Sequence, residues 1–184
     1  MSPLQQHAAS EDTTAWYVLR FLYRNQPQVR SRIEDDGLET FSPSRLVVKQ
    51  IKGKRVKRWE PLLWDLYFVH STKAVLDTYV NAYDNFQYIY KFGGKYQEPL
   101  VVPDEQMHRF IQAVESTERP LYFTPQELNL AKGTRVRLIG GRMDGYEGIL
   151  LKVNGARAKR LLVEIPNTLI AAVEVQADLV EVLN

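Results

Sequence analysis

The chain has 184 residues, of which 45% are hydrophobic and 25% charged, with 24 basic against 22 acidic side chains and a formal net charge of +2. These proportions exclude a wholly disordered, collagen-like or coiled-coil chain, and a chain of this size folds as one medium domain or two small ones. No uninterrupted apolar run exceeds five residues, far short of the roughly 20 that a membrane-spanning helix requires. There is no cysteine, which removes disulfides, thiolate catalysis and cysteine-ligated zinc, and the expected compartment is the reducing cytoplasm.

Residues 1–14 are polar and small, lack the basic start and apolar stretch of a secretory signal, and read as a loose tail. Ala15 to Tyr23, rich in aromatic and branched side chains, predicts a buried first strand. Asn25 is placed to cap the following helix, Pro27 suits its first turn, Val29 and Ile33 share a face, and Gly37 suits the position just past its end. A strand from Leu38 to about Gln50 and another from Arg55 to Trp59 flank Gly53 and predict a hairpin. From Phe41 to Trp59 there are seven basic residues and no acid, so the mild overall charge conceals a concentrated one.

Leu66 to Val69 is strand-like, Thr72 to Tyr83 helical with Val75, Leu76, Tyr79 and Val80 on one stripe, and Phe86, Tyr88 and Tyr90 alternate as another strand. Pro103 opens a third helix, with Asp104 and Glu105 in the first turn and Met107, Phe110, Ile111 and Val114 facing inward. This order predicts an α+β domain over 15–116 with an antiparallel sheet and flanking helices. Residues 117–130, with Pro120 and Pro125, read as a linker or an embracing segment rather than core. Over 131–184 short alternating runs are broken by Gly140-Gly141, Gly145, Gly148, Asn154-Gly155 and Pro166-Asn167, the pattern of a small β-barrel.

Enzymatic chemistry finds little support. His7, His70 and His108 are scattered without metal-ligand spacing, the carboxylates Glu34, Asp35 and Asp36 are consecutive at a helix end, and the glycine pairs lack a phosphate-loop or dinucleotide pattern. No catalytic residue, metal or cofactor is expected. The cations Lys52, Lys54, Arg55, Lys57 and Arg58 of the hairpin, with Trp59 at its edge, are candidates for phosphate contact and base stacking. Arg135, Arg137, Arg157, Lys159 and Arg160 give the second domain a basic side, which is also what the outward half of alternating strands presents.

Two segments carry a resemblance. Ala15-Trp16-Tyr17-Val18-Leu19 opening an α/β domain, and Gly133 through Ile149 with its Gly140-Gly141, Gly145 and Gly148 opening a β-barrel, resemble the NusG transcription elongation factors, which join an NGN domain to a KOW domain of SH3-like barrel form. The similarity covers about Ala15 to Leu183. Phe41-Ser-Pro, the run Glu98 to Met107 with Phe110, and Glu164-Ile-Pro are similar to the UpxY branch of Bacteroides-type bacteria.

The resemblance implies a factor that rides on RNA polymerase and suppresses pausing or termination, in the UpxY branch on long surface-polysaccharide operons. It implies contact with the polymerase clamp through an apolar and aromatic surface, here Trp16, Tyr17, Leu63, Trp64, Leu66 and Phe68. DNA or nascent RNA would be the nucleic-acid partner, and Arg142, Met143, Tyr146, Pro166 and Asn167 would meet a second protein partner of the KOW domain. The protein is expected to be a monomer. Where NusG has Phe-Pro-Gly-Tyr before its central strand this chain has Leu63-Trp64-Asp65-Leu66, and it has no aromatic near Pro166-Asn167, where general NusG proteins engage Rho or a ribosomal protein. The competing reading is a KOW-containing RNA-binding or ribosome-associated module.

Overall fold

The computed structural model describes residues 13–22, 27–61, 66–117, 120–123, 133–152, 159–166, 168–174 and 179–183. In chain order the elements are β1 (Ala15–Phe21), α1 (Pro27–Asp35), β2 (Glu39–Phe41), β3 (Ser44–Ile51), β4 (Lys54–Pro61), β5 (Leu66–Ser71), α2 (Lys73–Ala82), β6 (Phe86–Tyr88), β7 (Val101–Val102), α3 (Asp104–Glu115), β8 (Leu121–Phe123), β9 (Thr134–Ile139), β10 (Glu147–Lys152), β11 (Lys159–Ile165), β12 (Leu169–Glu174) and β13 (Leu179–Val182), with a 3-10 turn at Gly141–Met143. They divide into two compact units, one drawn from residues 1–44 and 63–104 and the other from 45–62 and 105–184.

The first unit is an antiparallel sheet of order β2-β5-β1-β6, with β7 also pairing β1. Alternation decides which side chains meet the helices. Tyr17, Leu19 and Phe21 of β1 join Tyr67, Val69, Phe86 and Tyr88 in one cluster with Val29 and Ile33 of α1 and Leu76 and Tyr79 of α2. Phe21 stacks on Phe86 with ring centroids 4.9 Å apart, and the Arg30 guanidinium lies 4.6 Å and 4.4 Å from the ring centres of Phe21 and Tyr67. Desolvation there lowers the Arg30 pKa from its ordinary value, while the two ring faces favour the cation.

The helix ends follow the expected chemistry. At α1 the Leu38 N–H donates to the Ile33 carbonyl and the Gly37 N–H to that of Glu34, the two bonds of a Schellman stop, with Gly37 at φ 75°. At α2 the Thr72 hydroxyl accepts from the Val75 N–H at 3.3 Å, satisfying one orphan donor of the first turn. The predicted cap Asn25 lies outside the described residues.

Three findings depart from expectation. The strand expected from Leu38 to Gln50 is two strands, β2 and β3, with Ser42 and Pro43 between them, since proline cannot donate to a ladder. β2 pairs β5, whereas β3 pairs only β4 in a separate ribbon. The segment expected as a linker contributes β8, whose Tyr122 pairs with Ala171 of β12.

In the second unit, besides the β3–β4 ribbon, strands β8 to β13 form an antiparallel sheet of order β13-β9-β10-β11-β12-β8. Among the described residues no pairing joins β13 to β8, so the expected barrel is an open path of six strands here. Leu169 to Val173 are all buried, which explains their continuous apolar run. No described helix is long and apolar enough to cross a membrane.

Candidate functional site

The β3–β4 ribbon turns through Lys52 at φ 49° and Gly53 at φ 78°. Two consecutive left-handed residues make the tight turn whose twist matches that of paired strands. Lys52, Lys54, Arg55, Lys57 and Arg58 are all exposed, so five of the seven cations noted in the sequence sit together on the tip and second strand. Lys49 is committed to Glu60, 2.5 Å away, leaving the far end of the ribbon without an acid. A cluster of like charges of this kind is one that phosphates can neutralise with release of counterions. Val48, Ile51 and Val56 are also exposed on the ribbon; sequence reasoning passed over them.

The anticipated aromatic surface is placed differently. Trp16, Tyr17, Leu66 and Phe68 have relative exposures of 0%, 1%, 8% and 0%, which corrects their reading as contact residues. Both alternating sets of β1 are buried, Tyr17, Leu19 and Phe21 in the cluster with the helices and Trp16 and Val18 on the opposite face, so the sheet is covered on both sides here. Tyr17 faces the Tyr88 ring at 5.9 Å, Phe68 faces Phe41 at 5.9 Å, and Trp16 lies 5.3 Å from the His70 ring. Burial raises the Tyr17 hydroxyl pKa. Leu63 and Trp64 lie outside the described residues, as do Arg157 and Asn167, and the side chains of Trp59 and Lys159 are not among those described.

In the second unit, Arg142 and Pro166 are exposed whereas Met143 and Tyr146 are buried. Met143 accepts a 3.4 Å bond at Sδ from the Ser116 hydroxyl, and the Tyr146 hydroxyl donates to Oε1 of Gln112 at 2.7 Å. Both are therefore internal packing residues, a correction to their assignment to a partner surface. The turn that was expected to present them instead folds inward, its Gly145 N–H donating to the Leu138 carbonyl at 2.8 Å.

Two cations of the six-stranded sheet are paired with acids. Arg137 bridges Glu147 at 2.6 Å and Glu181 at 3.1 Å, and hydrogen bonding to Arg137 is the first cause holding the Glu147 carboxyl below its ordinary range. Arg160 reaches Glu174 at 3.0 Å and the Ala172 carbonyl at 3.1 Å. Arg135 remains exposed.

His70 lies between two carboxylates, with Nδ1 3.7 Å from Glu39 and Nε2 3.3 Å from Asp104. The Asp104 approach has ion-pair distance without hydrogen-bond alignment. Among the described residues no group of three or more His, Asp or Glu is placed to hold a metal ion. The carboxylates Glu34, Asp35 and Asp36 do not converge on a ligand; Asp36 instead serves the fold, accepting from Arg32 and Tyr79.

A family model described as "Transcription termination factor nusG" matches residues 14–111, which is more than half of the chain. Among solved structures the chain is similar to one described as "Domain interaction in Thermotoga maritima NusG", with 15% identity, 95% of this chain and 100% of that chain covered, and a TM-score of 0.44. On the strength of the family match across the β1-to-α3 region, this chain belongs to the NusG family.

Proposed function

We propose that the protein is a transcription elongation and antitermination factor that binds RNA polymerase and acts stoichiometrically rather than as an enzyme. The observation that carries this reading, beside family membership, is the acid-free ribbon tip bearing Lys52, Lys54, Arg55, Lys57 and Arg58. Those five cations hold DNA or nascent RNA by its phosphates while the first unit engages the clamp of the polymerase. With Trp16, Tyr17, Leu66 and Phe68 shaping the sheet from within, the clamp contact falls to Leu63 and Trp64, between β4 and β5.

The finer assignments belong to the same proposal. The motifs Phe41-Ser-Pro and Glu98 to Met107 support a UpxY-like specialisation for long surface-polysaccharide operons, and the glycine pattern of 133–149 supports a KOW barrel joined through 117–130. Arg142, Pro166 and Asn167 are the residues left to meet a second protein. The protein works as a cytoplasmic monomer. A purely RNA-binding or ribosome-associated module would rely on the basic side of residues 131–184, where Arg137 and Arg160 are already paired.

The test is co-purification of the cognate RNA polymerase with the full chain at two salt concentrations, followed by a pause assay on the retained complex. Salt-sensitive retention together with shortened pauses is the expected result. Failure to retain polymerase, with RNA bound instead, would reverse the reading in favour of the ribosomal or RNA-binding module.

A further inference from the structure

The loop from Tyr90 to Pro99, between β6 and β7, presents a second surface that the basic ribbon does not explain. Both of its stems are fixed to one residue of the central strand: the Ile89 N–H donates to the Val18 carbonyl at 2.9 Å, and the Val18 N–H donates to that of Leu100 at 3.0 Å. The stems also bond to each other, Leu100 N–H to Ile89 at 2.7 Å and Lys91 N–H to Glu98 at 2.8 Å, with a bridge between Tyr90 and Pro99. Inside the loop the Gly94 N–H reaches the Lys91 carbonyl and the Glu98 N–H that of Lys95. Gly93 at φ 72° and Gln97 at φ 51° turn the chain back on itself.

On this self-bonded backbone, Phe92 and Tyr96 have relative exposures of 105% and 91%. Two large rings held wholly in water add nothing to the core. Isolated exposed apolar residues are ordinary, but two rings four residues apart on a braced loop form a preorganised surface. The loop's acid is turned inward: Glu98 Oε2 accepts from the Lys95 N–H at 2.9 Å and Oε1 lies 3.6 Å from Lys91 Nζ. What faces outward is two aromatic rings and the exposed Lys95 ammonium between them in sequence.

We propose that this loop binds single-stranded nucleic acid, Phe92 and Tyr96 stacking on unpaired bases while Lys95 neutralises the adjoining phosphate. Aromatic rings beside cations are the composition of a surface that holds unpaired strands without regard to sequence. Protein-binding hot spots also use aromatic rings but are depleted in lysine, and residues 90–98 carry no aliphatic side chain at all. A duplex keeps its bases stacked on one another and offers the rings no free face. The inference goes beyond the ribbon assignment and does not depend on it.

The experiment is fluorescence anisotropy of the full chain with a labelled oligothymidylate, an oligouridylate of the same length, and a DNA duplex. The double variant Phe92→Ala/Tyr96→Ala is expected to melt as the unaltered protein does and to bind the single strands at least about tenfold more weakly, with duplex binding unchanged. A greater loss on thymidylate or on uridylate would identify DNA or RNA as the strand held. Phe92→Trp is expected to keep the affinity, and the emission of the new ring should be quenched by the oligonucleotide. The Lys54, Arg55, Lys57 and Arg58 alanine variant should flatten the salt dependence on duplex and leave the effect of the ring substitutions in place.

Undiminished single-strand affinity in the double variant would overturn the proposal, as would an equal loss on duplex or no single-strand binding by the unaltered protein. Loss of polymerase co-purification with oligonucleotide affinity intact would make the loop a protein contact, and the proposal would fail.

Discussion

The hydroxyl of Tyr79 donates a 2.5 Å hydrogen bond to Oδ2 of Asp36, tying α2 to the residue that follows α1 across 43 positions of sequence. The same carboxylate accepts from Arg32 at 3.0 Å. Its pKa lies below the ordinary value, the Tyr79 bond being the first cause, and that of Tyr79 is pushed up to about 12, first by burial and then by the Asp36 bond.

These opposite shifts predict a stability that falls at both ends of the pH range. Asp36, with its folded pKa depressed, contributes stability above its unfolded pKa, and that contribution is lost as pH falls through the folded value. Tyr79, with its folded pKa raised, contributes below its unfolded value of about 10, and loses that contribution as pH rises toward about 12. Tyr79→Phe should abolish the alkaline loss from this site and weaken the acid one, as read from urea midpoints between pH 2 and 12. A profile superimposable on that of the unaltered protein would refute the coupling.

Replacing Lys54, Arg55, Lys57 and Arg58 together by alanine should leave folding intact, since all four are exposed. If each neutralises one duplex phosphate, the slope of log affinity against log salt should become shallower by about 3 to 4. Titration of a DNA duplex at several salt concentrations measures this, and an unaltered slope would remove the ribbon from the nucleic-acid interface.

Gly53→Ala tests the ribbon's turn without touching a charge. A β-carbon there meets no neighbouring atom, but φ is +78°, a region that costs an L-residue roughly 1–2 kcal/mol. Loss of protection at the ribbon's amides in hydrogen exchange is expected, with little effect on them from Gly53→Asn, which tolerates that region better. Equal protection in both variants would mean that the turn relaxes into another form.

Gly148→Ala tests close approach in the second unit. A β-carbon would sit 2.5 Å from the Leu162 carbonyl oxygen and 3.0 Å from the Leu161 side chain, in β10 where neither the backbone nor the buried leucine can yield easily. Overpacking of this kind costs about 1–3 kcal/mol, which denaturant unfolding should reveal as a lowered midpoint. An unchanged midpoint would show that the strands can separate slightly at no cost.

Much of the first unit was legible because its signals are local. Val29 and Ile33 lie four apart on one helix face and Gly37 supplies the left-handed stop, each depending on a few neighbouring residues. The ribbon was legible for a related reason: consecutive cations without an acid cannot be buried, and Lys52-Gly53 accepts the left-handed turn that joins β3 to β4. The exposure of Phe92 and Tyr96 was not legible, since nothing in their spacing distinguishes an exposed ring from a buried one.

By itself, then, the sequence determined most element types, the stop of α1, the charged tip and the family resemblance, all of which follow from residue chemistry within a turn or two. Tertiary structure alone decided that Trp16 and Phe68 are interior, that Leu121–Phe123 is a strand against β12, and that Met143 and Tyr146 turn inward. Those outcomes depend on which distant strand lies on either side. Alternation tells which residues share a face of a strand, but only pairing and packing across the fold tell whether that face, or the opposite one, is covered.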